Sequence, residues 1–224
     1  MSAESFNIWR SQSKSPAWNM AADELLLRQS NMLGEPVLRL YSWSQSSSSF
    51  GYFQRYAEVS LLTDLRPLIR RPTAGGLVRH DEHEWTYSLS FPSGHPWWRL
   101  KAEISYQQVH NWIRRAFELC GVITELCLEV NLEGSGQCFV GAEKHDLIYR
   151  GGKIAGAAQR RNREGLLIQG SIQAKNTNVE RKCWESAMLD DVQWQEWKPV
   201  GSFVDEITDL AKRKYESTNH NQRR

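Results

Sequence analysis

One cysteine of the chain lies in a segment whose composition could make its thiol reactive. Cys138 occurs in EGSGQCFVG, where glycines on both sides favour a loop over a core strand. A loop thiol near a cation is converted more readily to the nucleophilic thiolate. The alternative is inert packing, which the apolar patterns around Cys120 and Cys127 indicate for those two thiols.

A second candidate is Lys153, which follows a predicted hairpin turn and enters the strand KIAGAAQRR. The small residues after it leave room for a chain-like substrate, and the ammonium could donate to that substrate's carbonyl oxygen. A solvated surface lysine, with the alanines packed under a helix, is the alternative.

The segment RRPTAGGLVRHD, Arg70 to Asp81, places two arginines at the end of a strand before a glycine pair. Glycines let the backbone approach a ligand closely, so the segment suits an anion or a carbonyl. A plain β-turn with solvated arginines remains the alternative. His80, His83 and Glu84 could ligate a metal only from a helix, and the surrounding turn and strand patterns oppose one. We therefore expect no metal here and a hydrogen-bonding role for His80.

Three helices are predicted to support these segments. The first is capped by Ser15 and stopped by Gly34, the second runs from Glu103 to Cys120, and the third begins after Ser202. Strands are predicted at PVLRLYSW, FGYF, PLIRR, EWTYSLSF, ITELCLE, HDLIYR, KIAGAAQRR and LLIQGSI, with Gly151-Gly152 forming a tight turn. This order indicates an α+β (mixed α/β) fold with mixed sheets flanked by helices.

Bulk composition is that of a folded globular protein. The chain has 224 residues, 40% of them hydrophobic, and a net charge of +2 from 28 Lys+Arg against 26 Asp+Glu. We expect one domain over residues 1–215 and a disordered tail over 216–224. The N-terminal MSAESFNIWR lacks the pattern of a signal peptide, and no Cys-x-x-Cys pair occurs, so a cytoplasmic location with free thiols is expected.

The chain resembles the catalytic domain shared by lipoate-protein ligases, octanoyltransferases and biotin protein ligases. The resemblance covers residues 17–212 and runs through NMAADELLL, PVLRLYSW, SFGYFQ, RRPTAGGLVRHD, EWTYSLS, CFVGAEKHDLIYRGGKIAGAAQRR and LLIQGS, in that order. The greatest similarity is to the cysteine-dependent octanoyltransferases, in which Cys-Phe precedes the lysine of a G-x-K strand by fifteen residues, as Cys138-Phe139 precedes Lys153.

This resemblance implies an acyltransferase of lipoate biosynthesis. Octanoyl would pass from acyl carrier protein to Cys138 as a thioester and then to a lysine of a lipoyl-carrier domain, either the glycine cleavage H protein or a 2-oxoacid dehydrogenase E2. Lys153 would promote thiolate formation and hold the acyl carbonyl. No cofactor is implied, and neither nucleic acid nor a membrane is an expected partner.

The resemblance also implies a pocket for the acyl group or pantetheine arm. Its expected residues are Arg71, Thr73, Gly75, Gly76, His80, Gly156, Ala157, Ala158 and Gly170. Arginines at 70–71 and 160–163 could steer an acidic carrier protein. The chain departs from the family pattern at Ala74, where glycine is usual, at Gly76, where arginine is frequent in such transferases, and at Gln169, where histidine is common.

Three alternatives remain open. An ATP- and Mg-dependent lipoate-protein ligase would make lipoyl-AMP at Lys153 and leave Cys138 idle, although many ligases carry an accessory C-terminal domain for which this chain has no room. An amidotransferase would move octanoyl between lipoyl domains. A non-catalytic acyl-binding relative would bind octanoate without turnover.

Overall fold

A computed structural model describes residues 5–129 and 141–223 of the chain. The strands are β1 (Ser5–Arg10), β2 (Val37–Tyr41), β3 (Ser47–Phe50), β4 (Leu68–Arg70), β5 (Val78–His80), β6 (Trp85–Pro92), β7 (Glu125–Leu126), β8 (Leu147–Tyr149), β9 (Gly152–Arg161), β10 (Gly165–Ile172) and β11 (Gln193–Glu196). The helices are α1 (Pro16–Leu33), α2 (Tyr56–Val59), α3 (Pro96–Arg99), α4 (Ala102–Leu119), α5 (Arg181–Ala187), α6 (Gly201–Leu210) and α7 (Thr218–Asn221), with a 3₁₀ turn (Ala174–Asn176) and a π-helical turn (Ala211–Tyr215).

Two mixed sheets form the framework. The larger sheet has eight strands in the order β11-β1-β2-β6-β10-β9-β8-β7, and the smaller has the order β4-β3-β5. In the large sheet β1 pairs in parallel with β2 and β11, whereas the other pairings are antiparallel. The expected α+β architecture with mixed sheets is confirmed.

Helices cover the large sheet, as the spacing of apolar residues predicts. One apolar cluster joins the sheet to α4 and α5, and a second joins it to α1 and α6. Helix α1 begins where expected, since Ser15 accepts a hydrogen bond from Trp18 N at 3.3 Å and Pro16 occupies the first turn. It ends at Gly34, whose φ of 77° lies in the left-handed region that glycine tolerates.

Strands β9 and β10 carry several of the candidate residues. Arg150 and Gly151 have φ values of 50° and 78°, so the tight turn expected between β8 and β9 is present. Strand β10 lies between β6 and β9 and is buried along its length. A Cβ on Gly170 would come within 2.0 Å of the Tyr87 ring on β6, so glycine permits the close packing of these two strands.

Two strand predictions are corrected by the structure. The strand predicted at FGYF lies earlier in the chain, because Ser47 to Ser49 form β3 together with Phe50. Their hydroxyls are buried, and Ser48 bonds Thr63 Oγ1 at 3.3 Å, which offsets the cost of burying a polar group. The alternation of apolar and polar residues in EWTYSLSF is typical of a half-buried strand, but both faces of β6 are covered, one by the apolar cluster with α4 and the other by α1.

The prediction of a disordered C-terminal tail is wrong for residues 216–223. Helix α7 lies against β4, where Asn221 Oδ1 accepts the Arg70 N–H at 3.0 Å. The buried Arg70 side chain also donates to the carbonyls of His220 and Asn221. Burial of this guanidinium requires acceptors that no local sequence signal in the tail reveals.

Within residues 5–129 and 141–223, no helix has the length and apolar character needed to span a membrane.

Candidate functional site

A largely apolar cavity lies between the two sheets and the start of α1. The space between its walls is about 390 Å³, including the open mouth. Six of the predicted substrate-binding residues contribute to its wall, namely Arg71, His80, Gly156, Ala157, Ala158 and Gly170. The other lining residues are Met20, Tyr41, Trp43, Ser49, Val78, Thr86, Gln169 and Ser171. A concave apolar wall with a few convergent polar groups is typical of a small-molecule site.

The Lys153 side chain lies beside Gly156, which lines this cavity. A Cβ on Gly156 would lie 2.8 Å from Lys153 Cε and 3.0 Å from Nζ, so the absence of a side chain at 156 lets the lysine cross the strand. The Lys153 side chain is only 4% exposed, and its Nζ forms an ion pair with Asp146 Oδ2 at 2.7 Å. This placement beside the cavity fits the expected role, which stays a prediction.

Asp146 holds the lysine and was missed by the sequence analysis. Its Oδ2 also accepts the Glu143 N–H at 2.6 Å, and its Oδ1 accepts a hydrogen bond from the Tyr106 hydroxyl. Tyr106 in turn accepts the Ala157 N–H at 3.3 Å. The aspartate lies in the segment HDLIYR, and its spacing from other polar residues does not distinguish it from a surface aspartate. Only the pairing of β8 with β9 brings it to the lysine.

His110 packs beside this network from helix α4. Its ring lies 4.3 Å from that of Tyr106, and burial lowers its pKa to about 4. The imidazole is therefore neutral near pH 7 and adds no second positive charge next to Lys153.

The Arg71 loop is braced by its own side chain. Arg71 Nε donates to Ala74 O at 3.0 Å, and Nη1 donates to Ser49 O at 3.3 Å. Gly75 has a φ of 86°, and its carbonyl oxygen lies 1.9 Å from where a Cβ on Gly51 would stand. The two loops approach so closely that glycine is required at both positions.

The predicted residues Thr73, Gly75 and Gly76 do not line the cavity itself. Thr73 is buried behind the wall, where its hydroxyl donates to Gln169 Oε1 at 2.7 Å. Gly75 is exposed. Contact of these three residues with a substrate stays a prediction.

Gln169, one of the departures from the family pattern, links the cavity to a buried polar network. Its Nε2 donates to Asp23 Oδ2 at 2.7 Å, while its Oε1 receives the Thr73 hydroxyl. Asp23 also pairs with the fully buried Arg39, with Nη1 to Oδ1 at 2.7 Å. An amide can donate and accept here at once, so both neighbours are satisfied.

His80 is held between Ser49 and Glu84. Its Nδ1 lies 2.6 Å from Glu84 Oε2, and its Nε2 lies 2.8 Å from Ser49 Oγ. The imidazole stacks on Trp43 with ring centroids 3.8 Å apart. His80 is on β5 rather than on a helix and His83 is exposed, and the described residues contain no cluster of three metal-ligating side chains.

Cys138 and Phe139 lie outside the described residues. Of the other thiols, Cys120 and Cys127 are half-buried and Cys183 is exposed. Burial, together with the hydrogen bond that Cys120 shares with Cys183, raises the pKa of Cys120 to about 12, so Cys120 is a thiol at neutral pH.

The arginines differ in their availability for docking a partner. Arg70 and Arg71 are buried and bonded to backbone carbonyls, so the expectation that they steer a carrier protein is wrong. Arg161 donates to carbonyls of α3 and Leu100. Arg163 is exposed, and Arg160 is half-buried over the Tyr52 ring at 5.4 Å.

Comparison with solved structures shows the same fold. A T. acidophilum protein solved with bound lipoic acid superimposes with a TM-score of 0.80 at 17% identity, covering 100% of both chains. Lipoate-protein ligase A bound with ATP superimposes with a TM-score of 0.78 at 16% identity, covering 99% of each chain.

Sequence comparison identifies closer relatives. Octanoyltransferase LipM of Staphylococcus aureus is 33% identical over 182 residues, which cover 75% of this chain and 66% of that protein. Octanoyltransferase LipM of Bacillus subtilis is 32% identical over 185 residues, which cover 77% of this chain and 66% of that protein. The chain thus spans about two thirds of the length of these relatives. The family model for the lipoyl protein ligase A/B catalytic domain matches residues 15–219, and the chain belongs to that family.

Proposed function

We propose that this chain is an octanoyltransferase of lipoate metabolism that carries octanoyl as a thioester on Cys138. Its LipM relatives are named octanoyltransferases. The observation that carries the proposal is the buried Lys153 ammonium, which Asp146 and Gly156 hold against an apolar cavity. An apolar cavity beside a cation suits a fatty acyl chain whose carbonyl gains negative charge during reaction.

In the first step the Cys138 thiolate attacks the carbonyl carbon of octanoyl-acyl carrier protein. The new C–S bond forms as the bond to the pantetheine sulfur breaks, and that thiolate leaves with a proton. Lys153 donates to the carbonyl oxygen as charge develops there, while Asp146 fixes the direction of its ammonium. The octanoyl tail lies along Gly156, Ala157 and Ala158.

In the second step the ε-amine of an acceptor lysine attacks the octanoyl-Cys138 thioester. An amide forms, the Cys138 thiol is released, and the amine proton passes to solvent or to the sulfur. The acceptor is a lipoyl-carrier domain, either the glycine cleavage H protein or a dehydrogenase E2. The thioester already supplies the free energy that a carboxylic acid would need ATP to gain, so the reaction requires no cofactor.

The test is an intact-mass measurement after incubation with octanoyl-acyl carrier protein without ATP. We expect the mass of one octanoyl group on the wild type, removed by hydroxylamine and absent from Cys138→Ala. Cys183→Ala is the matched control, because it removes an exposed thiol and should keep the adduct.

Three outcomes separate the alternatives. Modification of a lipoyl domain only with ATP and free acid, unaffected by Cys138→Ala, identifies a ligase. An adduct formed from an octanoylated lipoyl domain but not from acyl carrier protein identifies an amidotransferase. Octanoyl binding without any adduct or product identifies a non-catalytic relative.

A further inference from the structure

Three polar side chains form a continuous hydrogen-bonded line that begins in the cavity wall with Ser49 and His80. Ser49 Oγ lies 2.8 Å from His80 Nε2, and His80 Nδ1 lies 2.6 Å from Glu84 Oε2. All three residues are at most 3% exposed. They come from β3, from β5 and from the turn before β6, so only the tertiary fold aligns them.

The order of the three groups fixes the direction of proton transfer. A carboxylate can only accept, so the hydrogen bond to Glu84 places the imidazole proton on Nδ1. Nε2 is then an acceptor, and the Ser49 hydroxyl donates to it. Trp43 stacks on the ring with centroids 3.8 Å apart and holds the imidazole in this orientation. This is the arrangement by which a histidine and a carboxylate activate a serine.

Ser49 also lies at the wall of a cavity that could hold an ester. Both Ser49 and His80 line the apolar cavity. Arg71 Nη1 lies 3.4 Å from Ser49 Oγ and can donate to an oxyanion formed beside that oxygen. A nucleophile, a base, an orienting carboxylate and a cation therefore meet at one wall.

We propose that Ser49, His80 and Glu84 form a second acyl-transfer centre that hydrolyses medium-chain acyl esters without Cys138. The substrate class is a straight-chain ester with an activated leaving group, because the cavity wall is apolar and takes an acyl tail. The centre does not depend on the octanoyltransferase activity proposed above.

The reaction balances with water as the only co-reactant. Ser49 Oγ bonds the ester carbonyl carbon and gives its proton to His80 Nε2. The alkoxide then leaves with that proton, and octanoyl remains on Ser49. Water attacks this acyl-serine, gives one proton to His80 and releases octanoic acid as the proton returns to Ser49.

The first test is covalent labelling with an alkyl fluorophosphonate, which modifies activated serines. In the Cys138→Ala protein we expect one phosphonyl group, mapped to Ser49 by peptide mass spectrometry. Ser49→Ala should lack it, and His80→Ala should label at least about 100-fold more slowly because the base is lost. Ser47→Ala is the matched control, since Ser47 lies on the same strand, is buried and has no hydrogen-bond partner for its hydroxyl among the described residues.

The second test is hydrolysis of p-nitrophenyl octanoate by the same variants. We expect turnover by Cys138→Ala that falls to background with Ser49→Ala and falls about 100-fold with Glu84→Gln, which keeps the shape of Glu84. Thermal unfolding of each variant shows whether it is folded. The comparison is between folded Cys138→Ala protein with and without the additional Ser49→Ala change. If both hydrolyse the ester equally and neither is labelled, the proposal is wrong and the three groups only hold the sheet together.

Discussion

At the scale of single residues, Gly156 controls where the Lys153 ammonium lies. The atoms that a new Cβ would meet are the far end of a flexible lysine, 2.8 Å and 3.0 Å away, and Asp146 Oδ1 at 3.2 Å. A methyl group at 156 would therefore displace the ammonium rather than the backbone.

We predict that Gly156→Ala lowers the rate of octanoyl transfer about 100-fold, because a catalytic group misplaced by about 1 Å costs that much. The melting temperature should change little, since the lysine side chain can move aside. Gly152→Ala is the control on the same strand, because its new Cβ would meet only Tyr149 O at an ordinary 3.7 Å. Equal transfer rates for the two variants would mean that Lys153 takes no part in the reaction.

Residue Asp146 shows what single-residue reasoning from sequence misses. The types and spacing of Cys138, Lys153 and the glycines point to an acyl site without any structure. An aspartate just before a short strand is common on protein surfaces. Its function as the partner of Lys153 exists only because two strands pair, which spacing along the chain does not encode.

At the scale of elements, the short helix α7 supports β4. The fully buried Arg70 has its guanidinium satisfied by backbone carbonyls from α7 and from Tyr52 and Gln54. Asn221 of α7 links β4 to the π-helical turn, since its Oδ1 accepts the Arg70 N–H and its Nδ2 donates to Tyr215 O at 2.7 Å.

We predict that Asn221→Ala lowers the free energy of unfolding by about 1–3 kcal/mol, the cost of leaving a buried donor unsatisfied. Urea denaturation monitored by tryptophan fluorescence measures this change. Gln222→Ala provides the comparison, because Gln222 is the exposed neighbour and should change stability by less than about 0.5 kcal/mol. Equal stabilities of the Asn221→Ala and Gln222→Ala proteins would show that α7 does not stabilise β4.

At the scale of the whole molecule, His110 links global stability to pH. Burial is the main cause that lowers its pKa to about 4, although Asp146 and the Tyr106 carbonyl oppose the shift. The histidine of an unfolded chain titrates near pH 6.5. Between these values the unfolded chain binds a proton that the folded protein does not, so acidification favours unfolding.

We predict that the contribution of His110 is fully present above about pH 6.5 and is lost as the pH falls towards 4, by up to about 1.4 kcal/mol per pH unit. Urea unfolding at about pH 7 and about pH 5 measures the loss. His110→Leu should show a smaller loss than the wild type, whereas His83→Leu, which removes an exposed histidine, should match the wild type. If His83→Leu showed the smaller loss of unfolding free energy and His110→Leu matched the wild type, the burial of neutral His110 would not be the cause of the pH dependence.

Some features of the whole molecule follow from neighbouring residues alone, whereas others depend on the assembled fold. The local patterns fixed the caps of α1, the amphipathic face of α4, the turn before β9 and the family resemblance, because each depends on neighbouring residues and on turn chemistry. The tertiary structure decided that the serines of β3 are buried, that Arg70 and Arg71 are internal, and that Asp146 meets Lys153. It also decided that Ser49, His80 and Glu84 lie in line. These contacts join residues from different elements, and the free energy that selects them comes from burial and hydrogen bonding across the assembled sheets rather than from local propensity.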